Sequence, residues 1–274
     1  MKTILVPTDY SEVADNALNY AVELAKFSKA KLILMHAYQV PVPTGDIPVM
    51  LVSPAELEEI NQKRVKKLER KITKLTAGKI KVGSVTRSGF TVEEILNVIK
   101  EKNIDLVIMG ITGSGEISEK LIGSHTTSLI KQTKTPVLVI PKDAKYKEVE
   151  KIILACNYNE PVNADAIKRL KVFAKLFDAK VLVLDVEKPA AVPMYENTTA
   201  GEKLGKSLKE VDHVMFYGSS DELTVELNSF ADAHNCDWVA MIPHKHNLLG
   251  RLFHESNTKK MAFHTHLPLL SIHD

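Results

Sequence analysis

"DLVIMGITGSGEISEKLIGSHTTSLIKQTKTPVLVI", Asp105 to Ile140, aligns without gaps on "DWVAMIPHKHNLLGRLFHESNTKKMAFHTHLPLLSI", Asp237 to Ile272. Asp105/Asp237, Val107/Val239, Met109/Met241, Ser124/Ser256, Thr126/Thr258, Thr133/Thr265, Pro136/Pro268, Leu138/Leu270 and Ile140/Ile272 coincide. Identities spread over a whole ungapped segment mark a duplication, and a missed repeat misreads a fold. Upstream, "ILVPTDYSE" from Ile4 falls on "IILACNYNE" from Ile152, pairing Tyr10 with Tyr158. The register differs between the two matches, so the second copy has lost residues in its middle. The expected place is the counterpart of "YQVPVPTGDIPVMLVSP", Tyr38 to Pro54, a loop by its Pro and Gly content. The charged segment "PKDAKYKEVE", Pro141 to Glu150, is the expected boundary, giving domains over 1–143 and 150–274.

Working outward from the repeat, each copy alternates short apolar runs with helical patterns. In the first, "TILVP", "KLILMHA", the more polar "KVGSVT", "DLVIMG" and "PVLVIP" have strand length. "SEVADNALNYAVELAKFSK" places Ala14, Ala17, Leu18, Ala21, Val22, Leu24 and Ala25 on one helical stripe. A longer helix opens at Ser53 and Pro54, cap and first-turn proline, and a third at Thr91 as N-cap. Apolar strands separated by helices predict an α/β fold with a parallel sheet covered on both faces, doubly wound, with ligands at the carboxyl ends of the strands.

The chain has 274 residues, 45% hydrophobic and 26% charged, with a net charge of +2, an ordinary globular composition that points away from nucleic acid. Two cysteines make no disulfide framework, and no apolar run approaches the roughly 20 residues that span a bilayer. The expectation is a cytoplasmic protein with reduced thiols and no membrane partner.

Gly110 follows the fourth strand, Gly113, Gly115 and Gly123 come next, and Ser124 opens the helical segment "SHTTSLIKQT". Glycines that let backbone N–H groups approach a ligand, leading into a helix N-terminus, make an anion site, with phosphate the natural candidate. A plain turn explains glycine content equally well. A Walker A loop is excluded, because Gly115 is followed by Glu116 and Ile117, and a dinucleotide fingerprint belongs after a first strand.

The spacing Gly110-x2-Gly113-x9-Gly123-Ser124 resembles the ATP-binding signature of the universal stress protein family. "ILVPTDYSE", "SGFTVEEIL" and "PVLVIP" resemble that family's first strand, third-strand exit and closing strand. The resemblance implies two tandem domains of the adenine nucleotide alpha hydrolase-like kind, the second copy degenerate. It implies an adenine contact at Asp9, a backbone contact near Ala37, phosphate and ribose contacts from Gly110, Gly113, Gly123, Ser124, His125 and Thr126, and Met109 as a further nucleotide-binding residue. The implied ligand is ATP, ADP or AMP, with magnesium as a candidate companion. Where family members often carry a basic residue after the second glycine, this chain has Ser114. The closing strands, Pro136 to Pro141 and Pro268 to Ile272, are expected to pair, and a homodimer and an unidentified protein partner fit the same picture.

Each residue has a plainer reading. Asp9 begins "DYSE", the spacing of a capping box for the first helix, and Ser124 caps a helix with or without phosphate. In the second copy Asn157, Ile242, Lys245 and Glu255 replace Asp9, Gly110, Gly113 and Gly123, which argues against ATP there. His244, His246, His254, His264 and His266 invite a zinc reading, but nothing makes them converge, and no metal is expected. "KRVKKLERK" is read as a solvated helix face, and Cys156 as a buried small hydrophobe. The function expected is a nucleotide-dependent regulatory module with no catalytic residue set. The alternatives are a slow ATPase or self-phosphorylating enzyme, with Ser124 or Thr126 as phosphoryl acceptor, and an interaction protein without nucleotide.

Overall fold

The computed structural model describes residues 1–40, 52–111, 124–158, 162–185, 199–218, 223–242 and 266–273. It divides into two compact units, Met1–Gly110 and Ile111–Asp274.

In the first unit, Thr3–Pro7 (β1), Lys31–Tyr38 (β2), Val82–Ser88 (β3) and Leu106–Gly110 (β4) lie in the order β3-β2-β1-β4, all parallel. Ile4 to Val6, Leu32 to Met35 and Leu106 to Ile108 are buried, as strands covered on both faces must be. β3, at the edge, is the polar strand that its sequence predicts. Glu12–Ser28 (α1) buries all seven residues of its predicted stripe, together with Tyr20. Thr91–Lys102 (α3) buries Ile95, Val98 and Ile99.

Pro54–Leu75 (α2) opens with a complete capping box: Glu56 donates its amide to Ser53 Oγ, and Ser53 donates its own to Glu56 Oε2 at 2.8 Å. It packs along β2 and β3 through Asn61, Val65 and Ile72, the buried residues among its 22, while most of the others face solvent.

Two predicted caps move. Ser11, not Asp9, is the N-cap of α1, and its Oγ accepts from the Ala14 amide at 3.2 Å. Phe90 rather than Thr91 stands at the N-cap of α3, without a side-chain bond. In both cases an oxygen-bearing residue lies within two positions of the helix start, and spacing alone did not say which position was the cap.

The second unit carries Ser124–Gln132 (α4) and Val137–Ile140 (β5). Next come Lys151–Cys156 (β6), Ala164–Phe177 (α5), Lys180–Asp185 (β7), Thr199–Ser207 (α6), His213–Tyr217 (β8), Leu223–His234 (α7), Trp238–Met241 (β9) and Leu269–Ser271 (β10). Its strands lie in the order β5-β10-β9-β6-β7-β8. From β6 to β9 the path repeats that of β1 to β4. β10 is parallel to β9 and antiparallel to β5, with Leu269 opposite Val139 and Ser271 opposite Val137. The two closing strands therefore pair with each other. That partnership places α4 and β5 in the second compact unit, whereas the sequence boundary at 141–150 assigns them to the first domain.

The expected shortening falls between the second and third strands of the second copy. The 43 residues between β2 and β3 correspond to 27 between β7 and β8, of which 186–198 lie outside the described residues.

A shared clasp marks the duplication. Asp105 Oδ2 accepts the amides of Lys2 and Thr3 at 2.6 and 2.9 Å, and Asp237 Oδ2 accepts those of Glu150 and Lys151 at 2.8 and 2.9 Å. Each carboxylate precedes a fourth strand and ties down the entry of a first. Asp237 is buried and also meets Lys147 at 2.8 Å.

Candidate functional site

The path through the first unit runs from β1 to β2 and β3 on one side and returns to β4 on the other side of β1. Where strand order reverses in this way, loops diverge and leave a crevice at the carboxyl ends, here between β1 and β4. Asp9 lies just beyond the end of β1, Ala37 is half-buried near the end of β2, and Gly110 closes β4. Three residues that the sequence nominates thus stand at the ends of three adjacent strands.

Asp9 is fixed by its own turn. Its Oδ1 accepts the Ser11 amide at 2.9 Å, and Thr8 Oγ1 accepts the Tyr10 amide at 3.0 Å. His36, on β2, places Nδ1 2.8 Å from the Thr8 carbonyl, which makes that nitrogen the donor. Partial burial pushes the Asp9 carboxyl upward. Hydrogen bonds from Ser11 and from the amide of Asp9 itself, with the nearby His36, outweigh this and hold it below the ordinary carboxylate range. Asp9 is therefore an ionised acceptor at neutral pH.

Tyr10, the next residue, has φ 66°, in the left-handed region that a bulky side chain rarely occupies. Its ring lies 4.7 Å from that of His36, and the Arg64 guanidinium of α2 sits 3.8 Å from its centroid, a cation over an aromatic face. Its hydroxyl is buried without a hydrogen-bond partner among the described residues. Sequence reasoning assigned Arg64 to a solvated run and gave Tyr10 no role beyond the repeat. No local signal reveals the contact, because it joins two helices' worth of separation through the fold.

Gly110 has a packing reason of its own. A Cβ there would lie 2.5 Å from Val13 Cγ1 and 2.7 Å from the Val13 carbonyl oxygen, so α1 lies against β4 where glycine is the residue that fits. The side chain of Met109 is buried, which leaves its backbone for any ligand. At the start of α4, Ser124 and His125 are exposed and Thr126 is buried. Gly113, Ser114, Gly115 and Gly123 lie outside the described residues.

The matching end of β6 is built differently. Tyr158 is buried, and its hydroxyl lies 2.9 Å from the Val183 carbonyl and 3.0 Å from that of Phe216, while accepting the Phe216 amide at 3.2 Å. The hydroxyl thus ties the start of this turn to the backbone of β7 and β8. Asp185 takes the register position that His36 has in the first unit, and its Oδ1 lies 3.5 Å from the Tyr158 amide. Burial, with Asp185 nearby, drives the Cys156 thiol far up, so it is an inert apolar group as expected. Lys245 and Glu255 lie outside the described residues, and Ile242 is buried.

With the switch point, the acidic turn after β1 and the β4 exit in view, comparison with known proteins gives a consistent answer. The profile of the universal stress protein family matches residues 1–141. The chain belongs to the universal stress protein family. A universal stress protein of Methanocaldococcus jannaschii is 29% identical over 154 residues, 52% of this chain and 95% of its own length. A second from the same organism is 30% identical over 148 residues, 53% of this chain and 84% of its own. The crystal structure of a universal stress protein from Archaeoglobus fulgidus superposes with a TM-score of 0.73 at 16% identity. It covers 99% of this chain and 98% of its own, so the likeness extends over both units as fold.

Among the described residues no group of three or more His, Cys, Asp or Glu could hold a metal ion, and no helix is long and apolar enough to cross a membrane. His266 lies 3.2 Å from Asp232, and the other four histidines considered for zinc fall outside the described residues.

Proposed function

We propose that this universal stress protein is a cytoplasmic regulatory module that binds an adenine nucleotide in its first domain, one per chain. The observation that carries the reading is Asp9, an ionised carboxylate fixed by the Ser11 amide at the topological switch point. A carboxylate accepts and does not donate. It pairs with the exocyclic amino group of adenine, whereas guanine presents a carbonyl at that position and would be repelled. Ala37 supplies backbone alongside, and the family resemblance adds Gly110, Gly113, Gly123, Ser124, His125 and Thr126 toward ribose and phosphate, with Met109 as a further nucleotide-binding residue. Magnesium enters with the phosphates.

The second domain supports the count of one. Asn157 replaces the carboxylate, and the Tyr158 hydroxyl is bonded to the backbone of β7 and β8. Bound nucleotide then acts by occupancy, changing the surface that another protein reads.

Isothermal titration of the full chain with ATP, ADP, AMP and GTP tests this. Adenine nucleotides are expected to bind at one per chain and at least about tenfold tighter than GTP, the scale of one misplaced hydrogen bond to a charged group. Asp9→Asn, whose amide both donates and accepts, narrows that gap. Equal binding of ATP and GTP, or no heat with any of them, overturns the reading.

A further inference from the structure

Tyr10 adjoins the ligand carboxylate in the chain and touches a different helix in space. Its left-handed backbone is an unfavourable conformation for a tyrosine and needs support from its surroundings. Among the described contacts that support comes from the Tyr10 amide's bond to Thr8 Oγ1 at 3.0 Å, the Arg64 guanidinium on α2, 3.8 Å above the ring, and the His36 ring at 4.7 Å. The buried hydroxyl adds none, having no partner among the described residues. The conformation of the Asp9 turn and the position of α2 are thus coupled through one aromatic ring.

α2 is well placed to respond. It buries Asn61, Val65 and Ile72 and half-buries Leu57 and Leu68, and the Asn61 side chain donates to the Leu57 carbonyl of the same helix. Glu69 adds a bond to Ser84 on β3 and a pair with Lys66. Most of its 22 residues face solvent although its inner face packs along β2 and β3, and in such exposed turns one added or lost contact shifts local opening.

From this we infer that Arg64 is a positioning residue that couples occupancy of the Asp9 site to α2, making α2 the element whose order reports whether nucleotide is bound. This rests on the proposed nucleotide site. A ligand that tightens the Asp9 turn fixes Tyr10 and favours the Arg64 contact. By linkage, α2 held in place strengthens ligand binding by the same factor. Arg64 touches no ligand and contributes through Tyr10 alone.

Hydrogen–deuterium exchange of the full chain, with and without ATP, provides the test. In the unmodified protein ATP is expected to slow exchange at least about threefold both at Thr8–Ser11 and along α2. In Arg64→Met, which keeps the apolar stem and removes the cation, protection at Thr8–Ser11 persists, protection along α2 is lost, and ATP affinity falls about fivefold. Arg64→Lys restores part of both. Protection of α2 that is undiminished in Arg64→Met, or confined to Thr8–Ser11 in the unmodified protein, overturns the coupling. If ATP neither binds nor protects any segment, the nucleotide reading fails, and the ATP-free exchange decides separately. Faster exchange at Thr8–Ser11 in Arg64→Met then sustains the mechanical link, and unchanged exchange removes it.

Discussion

Tyr10 and Tyr158 hold the same place in the two copies, yet the Tyr158 hydroxyl is bonded to the backbone of β7 and β8, while the Tyr10 hydroxyl is buried without a partner among the described residues. One sequence position is therefore tied to neighbouring strands in the second unit and held in a left-handed turn under a guanidinium in the first.

Removing the two hydroxyls has opposite consequences. Tyr158→Phe leaves two carbonyls and an amide without this partner and is expected to cost about 1–3 kcal/mol. Tyr10→Phe removes a buried polar atom that gains nothing in return and is expected to be neutral or stabilising by up to about 1 kcal/mol. Urea denaturation of both variants checks the sign, and equal losses would contradict the contrast.

Gly110→Ala separates packing from ligand binding. The added methyl collides with Val13 backbone, which cannot swing aside as a side chain tip can. The expected loss is about 1–3 kcal/mol in the absence of any nucleotide. An unchanged urea midpoint, with affinity alone reduced, would return Gly110 to a purely ligand-facing role.

The two aspartate clasps differ in depth. Asp237 is buried and holds two amides and Lys147, so Asp237→Ala is expected to cost about 2–3 kcal/mol. Asp105 is exposed and holds two amides that water can reach, so Asp105→Ala is expected to cost under about 1 kcal/mol. Thermal melts of the pair at neutral pH decide it, and a larger effect at Asp105 would refute the burial argument.

Asp9 sets a pH dependence. Its folded carboxyl lies below the unfolded value. The stability that it contributes is therefore present above the unfolded pKa of about 3.9 and is lost as pH falls through the lower folded value. Because the group is largely solvated, the effect on stability is small. ATP affinity should be flat with respect to this group from about pH 5 to 8, where Asp9 stays ionised. A midpoint near neutrality that disappears in Asp9→Asn would show the carboxyl to be raised instead.

Both thiols should resist modification in the folded state. Burial, countered in part by Lys151, still pushes Cys236 up to about 11, and Cys156 is driven higher. Little thiolate exists at pH 8, and both sulfurs are buried. Iodoacetamide is expected to label neither until the chain is unfolded in urea, and rapid labelling of either native thiol would contradict this.

Much of this was legible in the sequence because it is periodic or repeated. The apolar runs at Ile4, Leu32 and Leu106 gave strands that lie within one or two residues of expectation, and the matched aspartates proved to do the same work. Ser53 and Pro54 read directly as a helix start. What stayed hidden is tertiary. Arg64 looks like one cation in a basic run until the fold lays it over Tyr10, and the need for glycine at 110 comes from Val13 across the sheet–helix interface. Asp9 and Ser11 both carry oxygen acceptors near a helix start, and only backbone geometry assigns the cap to Ser11.

The antiparallel seam between β5 and β10 has a consequence for synthesis. Val137 to Ile140 emerges early and wholly apolar, but the backbone edge that meets Leu269 to Ser271 has no partner until that far later strand has been made. For the time between, a growing chain carries a sticky open edge, the kind of surface on which neighbouring chains pair wrongly. The seam thus joins the segments of the sheet that are farthest apart in time as the chain is made, and it closes last.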